Sequence, residues 1–183
     1  MKIGIFDSGL GGLFVARALV KNLPQYDYVY LGDTQRVPYG NRSHETVYQF
    51  LREAVDYLFA HDCELIIVAC NTASAKALRR IQQEYLPKHY PQRRVLGIII
   101  PTAEAALKND TTRRIGLLAT QGTVDSNAYV KELKKIRPNP EIEKRLGEHK
   151  RREFLVTDLI DATRALSKKW FGQDIKFRTI QLK

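Results

Sequence analysis

The chain has 183 residues, of which 44% are hydrophobic and 27% charged, and its formal net charge is +10 at pH 7. This length suits one large domain or two small ones, and the apolar fraction is sufficient for a hydrophobic core. No stretch approaches the ~18 consecutive apolar residues of a membrane span, and the N-terminus predicts a strand instead of a signal segment. We therefore expect a soluble cytoplasmic protein that has no membrane partner.

The positive charge is concentrated late in the chain. Residues 1–130 carry 15 basic and 12 acidic side chains, whereas residues 131–183 carry 15 and 8. The late basic residues are interleaved with glutamates and lack the aromatic residues on which bases stack. A solvated helix face or linker explains this pattern better than nucleic-acid binding, which would depend steeply on salt. We expect no nucleic-acid partner.

The chain has two cysteines, Cys63 and Cys70. A strand between them would hold them roughly 23 Å apart at about 3.3 Å per residue, which is too far for a disulfide. The sequence contains neither a CxxC motif nor a Cys/His cluster, so it predicts no metal site.

The chain begins with a predicted strand over residues 2–6, a glycine-containing loop over residues 7–12, and a helix. The loop matches neither the P-loop nor the GxGxxG pattern of phosphate binding. It places a carboxylate, Asp7, and a hydroxyl, Ser8, at the end of the first strand. A second strand is predicted over residues 28–31 and ends in a polar turn.

Two features follow the second strand. The Val-Pro-Tyr-Gly segment at residues 37–40 predicts a fixed turn, because proline sets φ and glycine permits unusual dihedral angles. An ordinary surface turn is the alternative interpretation. From Glu45 onward, apolar residues recur at i, i+3, i+4, i+7 and i+8, which predicts a long amphipathic helix packed on the sheet.

The segment LIIVACNTASA, residues 65–75, is the centre of the prediction. Its first five residues are typical of a strand buried on both faces, which ends at Cys70, and helical spacing follows. In open α/β sheets, ligands bind at the carboxyl ends of strands. A thiol near the first turn of a helix is favoured as the thiolate, and is then a usable base or nucleophile. A buried structural cysteine is the alternative.

The later elements continue the alternation of strands and helices. A strand over residues 95–100 is predicted to end at Pro101, and a short helix follows it. The remaining predictions are a strand over 115–119, a polar loop over 120–126, a helix over 129–135, and a closing strand, helix and strand over 153–156, 159–171 and 175–182. This alternation predicts a parallel sheet with right-handed crossovers.

Because FDSGLGG, PYG and ACNTA occur in this order, the sequence resembles the bacterial glutamate racemase family of cofactor-independent amino-acid racemases. The resemblance covers residues 1–135 and resumes over residues 153–182. It implies an α/β fold, a parallel-sheet sandwich of the aspartate/glutamate racemase type. The first domain would comprise residues 1–97 completed by 153–183, and residues 98–152 would form a truncated second domain. The implied activity supplies D-glutamate for peptidoglycan and needs no cofactor.

The resemblance also implies the roles of individual residues. In the family, one thiolate removes the α-proton of glutamate and an opposite thiol returns a proton to the other face. Carried over by motif, Cys70 is one of these catalytic residues, and Asp7 lies close enough to assist it. The residues implied to hold the amino acid are Asp7, Ser8, Tyr39, Gly40, Asn71, Thr72, Thr120 and Thr123.

The sequence departs from the family at one motif. The second cysteine motif, a Gly-Cys-Thr-His-Tyr-Pro run, is absent and would be expected between about residues 137 and 150. Cys63 cannot replace it, because it lies at the end of the strand remote from Cys70. The sequence thus has half of a two-base site, and we expect no appreciable racemisation by the chain as written.

Two hypotheses follow from this departure. The first is a glutamate racemase, and the second is a catalytically dead racemase-like protein with a binding or regulatory role. The sequence does not distinguish glutamate from aspartate as the substrate. It also leaves the oligomeric state open, with a homodimer as one option.

Overall fold

A computed structural model of the chain describes residues 1–109, 115, 117 and 119–137. Helical segments separate the four strands of these residues and follow the last strand, and all of them lie in one compact unit, Met1–Leu146. The strands are β1 (Lys2–Asp7), β2 (Asp27–Gly32), β3 (Leu65–Val68) and β4 (Arg94–Gly97). The helices are α1 (Leu13–Asn22), α2 (His44–Ala60), α3 (Asn71–Lys76), α4 (Leu78–Arg80), α5 (Leu86–His89), α6 (Ile99–Asn109), α7 (Gln121–Asp125) and α8 (Ala128–Ile136). A π-helical turn, Ile81–Tyr85, joins α4 to α5.

The four strands form one sheet in the order β2-β1-β3-β4, and every neighbouring pair is parallel. Phe6 of β1 is level with Leu31 of β2 on one side and with Val68 of β3 on the other. The carboxyl ends of the strands therefore meet along one edge. This arrangement confirms the predicted parallel α/β sheet.

Helix α2 has the amphipathic pattern that the sequence predicts. Ser43 begins it, since its hydroxyl accepts a hydrogen bond from the Thr46 N–H at 3.0 Å. The buried face packs into the main hydrophobic cluster, where full burial of one such side chain stabilises the fold by about 1.5–3 kcal/mol. The buried residues of this helix are Val47, Tyr48, Leu51, Ala54, Val55, Leu58 and Phe59.

The strand predicted over residues 95–100 is wrong in its second half. Strand β4 ends at Gly97, and helix α6 begins at Ile99. Pro101 was expected to end a strand, but it lies in the first turn of α6. A proline is tolerated there, because the N–H groups of the first turn have no acceptor within the helix. The predicted short helix thus extends over eleven residues.

The polar loop predicted over residues 120–126 contains a short helix, α7. Thr120 begins this helix, because its hydroxyl accepts a hydrogen bond from the Thr123 N–H at 3.4 Å. Helix α8 confirms the helix predicted over residues 129–135. Of the strand predicted over 115–119, the structure describes residues 115, 117 and 119, and none of these three lies in a strand.

The elements predicted over 153–156, 159–171 and 175–182 lie outside the described residues, so the proposed division into two domains stays a prediction. Within the described part, the buried apolar side chains form two clusters. The first draws on β1, β3, β4 and helices α2 to α5, whereas the second consists of Ile99, Ala103, Leu107, Tyr129, Val130 and Leu133. None of the helices described here is long and apolar enough to cross a membrane.

Candidate active site

The carboxyl ends of β1 and β3 lie side by side and place Asp7 and Cys70 at the same edge. The N–H of Ala69 donates to the Phe6 carbonyl at 2.8 Å, which aligns the two strand ends. Both functional side chains are buried, with 7% of Asp7 and 4% of Cys70 exposed. The structure thus confirms that Cys70 lies between a strand end and a helix start. The expectation of a strand buried on both faces is wrong, because buried and partly exposed residues alternate along β3.

The Asp7 carboxylate organises the loop that follows β1. Its Oδ2 accepts hydrogen bonds from the N–H groups of Gly9 and Gly12, both at 3.1 Å. A Cβ atom at Gly12 would lie 2.7 Å from Asp7 Cβ and 3.1 Å from Ala69 Cβ, so a side chain does not fit there. Glycine at this position therefore allows the start of α1 to approach both strand ends.

Cys70 is the residue that begins helix α3. Its Sγ accepts a hydrogen bond from the Ala73 N–H at 3.4 Å, and its thiol donates to Ser8 Oγ at 3.2 Å. If the sulfur is ionised, the Ser8 hydroxyl can donate in the opposite direction, so that two donors face the charge. The predicted neighbours Ser8 and Cys70 are therefore in direct contact.

Cys63 lies just before the start of β3 and is fully buried. Burial raises the pKa of its thiol, and the Asp62 charge raises it further, whereas Lys2 and Arg93 oppose the shift. Burial is thus a larger cause of the raised pKa than the neighbouring Asp62 charge. The two cysteines are both free thiols, in agreement with the prediction that they do not form a disulfide.

Tyr30 was not singled out in the sequence, but it supports the same loop from β2. Its hydroxyl donates to the Gly9 carbonyl at 3.0 Å. Burial raises the pKa of Tyr30, and the charges of Asp7 and Cys70 add to the shift. The phenol therefore stays protonated and remains a donor to the loop. The sequence did not indicate that this tyrosine faces the site, because the residue pattern of a half-buried strand does not show which side chains lie near a ligand.

Tyr39 has its side chain in the hydrophobic core, with 2% exposed. Its hydroxyl donates to Asp33 Oδ2 at 2.5 Å, and Arg36 Nε donates to the same oxygen at 2.6 Å. Burial raises the pKa of Tyr39, and the hydrogen bond to Asp33 raises it further. Asp33 belongs to the polar turn noted after the second strand, which was the signal that could have marked it.

Three threonines predicted to hold substrate bond to one another. Thr72 Oγ1 lies 2.9 Å from Thr120 Oγ1 and 3.4 Å from Thr123 Oγ1, and the last two oxygens are 3.1 Å apart. Thr72 and Thr123 are buried, whereas Thr120 is exposed. The structure therefore brings the segment before α7 against the start of α3.

Asn71, the residue after Cys70, is exposed but has a partner on α8. The hydroxyl of Tyr129 donates to Asn71 Oδ1 at 2.6 Å, and burial raises the pKa of that tyrosine. The sequence gave no indication of this contact, because the two residues are 58 positions apart.

Gly40 is buried next to two other segments. A Cβ atom there would lie 3.0 Å from Thr120 Cβ. The Gly40 carbonyl accepts a hydrogen bond from Lys76 Nζ at 3.0 Å, and the same ammonium donates to the Arg42 carbonyl at 2.6 Å. Lys76 was not among the predicted site residues.

A parallel α/β sheet that presents a carboxylate and a thiol at one edge defines a candidate acid–base site. Comparison with known proteins assigns the chain to a family. Residues 12–176 match the Asp/Glu/Hydantoin racemase family. The chain belongs to this family.

Among its relatives, the glutamate racemase of Geobacter metallireducens is 47% identical over 142 residues, which is 77% of this chain and 49% of that protein. The solved glutamate racemase from Aquifex pyrophilus matches with a TM-score of 0.67 and 45% identity over 74% of this chain and 51% of that one. The glutamate racemase from Francisella tularensis, solved in complex with D-glutamate, matches with a TM-score of 0.64 and 36% identity over 75% and 49%. The chain spans about half the length of the relatives it matches.

Proposed function

We propose that the chain binds glutamate at the carboxyl edge of its sheet and that Cys70 moves the α-proton, as one half of a glutamate racemase site. The observation that carries this proposal is the placement of Cys70 between a hydroxyl and an amide donor at the end of β3. Membership of the racemase family and the named relatives, one of them in complex with D-glutamate, support the choice of substrate.

The first chemical step is removal of the α-proton by the Cys70 thiolate. The Ser8 hydroxyl and the Ala73 amide both face the sulfur and stabilise its negative charge as donors. The Asp7 carboxylate holds the loop that carries Ser8, since it binds the amides of Gly9 and Gly12. Asp7 therefore assists the base by fixing its donor.

We propose that exposed and main-chain groups hold the amino acid. Ser8, Asn71 and Thr120 present partly or fully exposed polar side chains around Cys70. Tyr39 and Gly40 contribute their main chain, because the tyrosine ring and hydroxyl are engaged in the core. Thr72 and Thr123 are buried, and they support Thr120 through their hydroxyls.

Inversion needs a proton donor on the opposite face of the planar carbanion-like intermediate. The one other cysteine in the sequence is Cys63, and β3 separates it from Cys70. Cys70 alone would return the proton to the face from which it took it. We therefore expect exchange of the α-hydrogen with retention of configuration. Inversion should be slow, because loss of a positioned general acid typically lowers the rate 10²- to 10⁴-fold.

The test is to incubate L-glutamate and D-glutamate separately with the protein in D₂O. Nuclear magnetic resonance follows deuterium at the α-carbon, and circular dichroism follows inversion. We expect deuterium incorporation into one enantiomer without inversion, and weaker incorporation into aspartate. The absence of exchange in both enantiomers of glutamate would refute the proposal. Inversion at about 1–10³ s⁻¹, the range of ordinary enzymes, would show that another residue or a partner subunit supplies the second acid.

The wider setting is also a proposal. We propose that the protein acts in the cytoplasm and that two copies associate as a homodimer. A contribution to D-glutamate for peptidoglycan synthesis would require a second proton donor in addition to Cys70. The activity named for the relatives supports the biosynthetic role alone. Because Cys70 alone retains the configuration of glutamate, we expect the chain by itself not to support growth of a D-glutamate auxotroph. Growth would show that a second acid is supplied, and sedimentation equilibrium tests the oligomeric state.

A further inference from the structure

We propose that Lys76 is a positioning residue that ties the loop carrying Tyr39 and Gly40 to the helix that begins at Cys70. The consequence for glutamate rests on the proposed function, because that function gives the loop its role in binding. The contacts themselves do not depend on it.

The ammonium of Lys76 bridges two main-chain carbonyls of a distant segment. Nζ donates to Gly40 O at 3.0 Å and to Arg42 O at 2.6 Å, across 36 and 34 positions of sequence. The same segment is closed as a turn by the Arg42 N–H, which donates to the Tyr39 carbonyl at 3.1 Å. A lysine offers three donors and no acceptor, so it suits two neighbouring carbonyls. Hydrogen bonds from a charged donor are also stronger than neutral ones.

A third segment packs against the same side chain. A Cβ atom at Gly122 of α7 would lie 2.3 Å from Lys76 Cε and 2.5 Å from the Gly40 carbonyl oxygen. The backbone of α7 therefore lies directly on the lysine and on the residue that it holds. Glycine at position 122 is what permits this approach.

These contacts link the lysine to the geometry around the thiol. Helix α3 is short, with Cys70 at its start and Lys76 in its last turn. A loop anchored to the end of this helix is held at a fixed place relative to the sulfur at its beginning. Without the ammonium, the loop loses two charged hydrogen bonds, whereas the contacts of Cys70 with Ser8 and Ala73 remain. Binding of substrate should therefore weaken more than the proton transfer within the bound complex.

The experiment compares Lys76→Met with Lys21→Met. Methionine keeps the unbranched stem of lysine and removes its charge and donors. Lys21 is a matched control, because it is an exposed lysine in the last turn of α1. In the ligand-free protein, amide hydrogen exchange reports on the Arg42 N–H. With glutamate, calorimetry gives the Kd, and deuterium incorporation at saturating glutamate gives the rate of proton transfer.

For Lys76→Met we expect about tenfold faster exchange at the Arg42 amide, with unchanged exchange in the interior of α2. We expect the Kd for glutamate to rise about tenfold, which corresponds to roughly 1.4 kcal/mol, and the saturated rate to change less than about threefold. Lys21→Met should leave all three measurements unchanged.

Unchanged exchange at Arg42 in Lys76→Met would overturn the proposal, and so would faster exchange throughout the protein, which would indicate general destabilisation. Faster exchange confined to the loop with an unchanged Kd would overturn the link to substrate binding. If the unmodified protein does not bind glutamate, the proposed function fails, and the exchange at Arg42 still decides whether Lys76 positions the loop.

Discussion

The two ends of β3 carry the two cysteines of the chain, and they provide different surroundings for the same functional group. Both thiols are buried, at 0% exposure for Cys63 and 4% for Cys70. Cys63 packs among apolar side chains, where burial raises its pKa. Cys70 faces a hydroxyl and an amide donor. Burial alone therefore does not distinguish a structural thiol from a candidate base, whereas the hydrogen-bonding partners of the sulfur do.

The direction of the strands explains this difference. In a parallel sheet every strand delivers its carboxyl end to the same edge, so the loops and helix starts that follow also gather there. Unpaired amide groups at helix starts favour negative charge. The opposite edge receives helix ends and turns such as Asp62, which has a φ of 64°. The two cysteines have different surroundings because they lie at opposite edges.

The largest difference between the two cysteines is expected when the proposed base is removed. Cys70→Ser keeps a residue that begins helices well but replaces the thiolate by a weakly acidic hydroxyl. We expect α-deuterium incorporation into glutamate to fall about 10²- to 10⁴-fold. Cys63→Ala, the matched change at the other end, should alter the rate less than about threefold. A comparable loss in both variants would contradict the assignment of Cys70 as the base.

The second prediction concerns alkylation of the two thiols. The thiolate is the reactive form, and the raised pKa of Cys63 lowers its thiolate fraction at any given pH. We expect iodoacetamide to label Cys70 about 10- to 100-fold faster at pH 7. Labelling of Cys63 should become appreciable only as the pH rises above the ordinary thiol value of about 8.5. Mass spectrometry of the digested protein measures both rates. Faster labelling of Cys63 in the folded protein would be inconsistent with the comparison.

The smallest effects come from two glycines of the N-terminal segment. A Cβ atom at Gly4 would lie 3.2 Å from Cys63 Sγ, and one at Gly12 would lie 2.7 Å from Asp7 Cβ. We expect Gly4→Ala to lower stability by about 1–3 kcal/mol through overpacking, with little change in deuterium incorporation. Gly12→Ala should displace Asp7 and slow incorporation about tenfold. Thermal unfolding measures the change in stability, and the exchange assay measures deuterium incorporation. Slower incorporation in Gly4→Ala with unchanged incorporation in Gly12→Ala would contradict the proposed difference between the two ends of β3.

The sequence predicted the elements whose pattern is local. Strands β1 and β3 and helix α2 follow from apolar runs and from helical spacing, and Cys70 was correctly expected at a strand end. The prediction failed at residues 98–100. An apolar run can extend a strand or begin a buried helix, and periodicity does not separate the two in so short a segment. The capping role of Thr120 was overlooked because its segment was interpreted as a loop.

The rest of the candidate site depends on contacts between distant residues. Lys76 with Gly40, Tyr129 with Asn71, and Thr72 with Thr120 are each separated by 36 or more positions. No short motif encodes such pairs, because they arise from the crossovers of the sheet and the packing of the helices on it. The motifs correctly indicated which residues lie near one another at the sheet edge. The long-range partners of these residues could be identified only from the fold.

The double role of Cys70 at the start of α3 has one more consequence. The sulfur caps the helix by accepting a hydrogen bond from the Ala73 N–H, and it is also the proposed base that removes the substrate proton. A thiolate is a stronger acceptor than a thiol, so each proton transfer would weaken the first turn of the helix and each return would restore it. The Cys70 sulfur would then take part both in proton transfer and in stabilising the first turn of α3. Alkylation of that sulfur should loosen the turn itself, as well as block the chemistry.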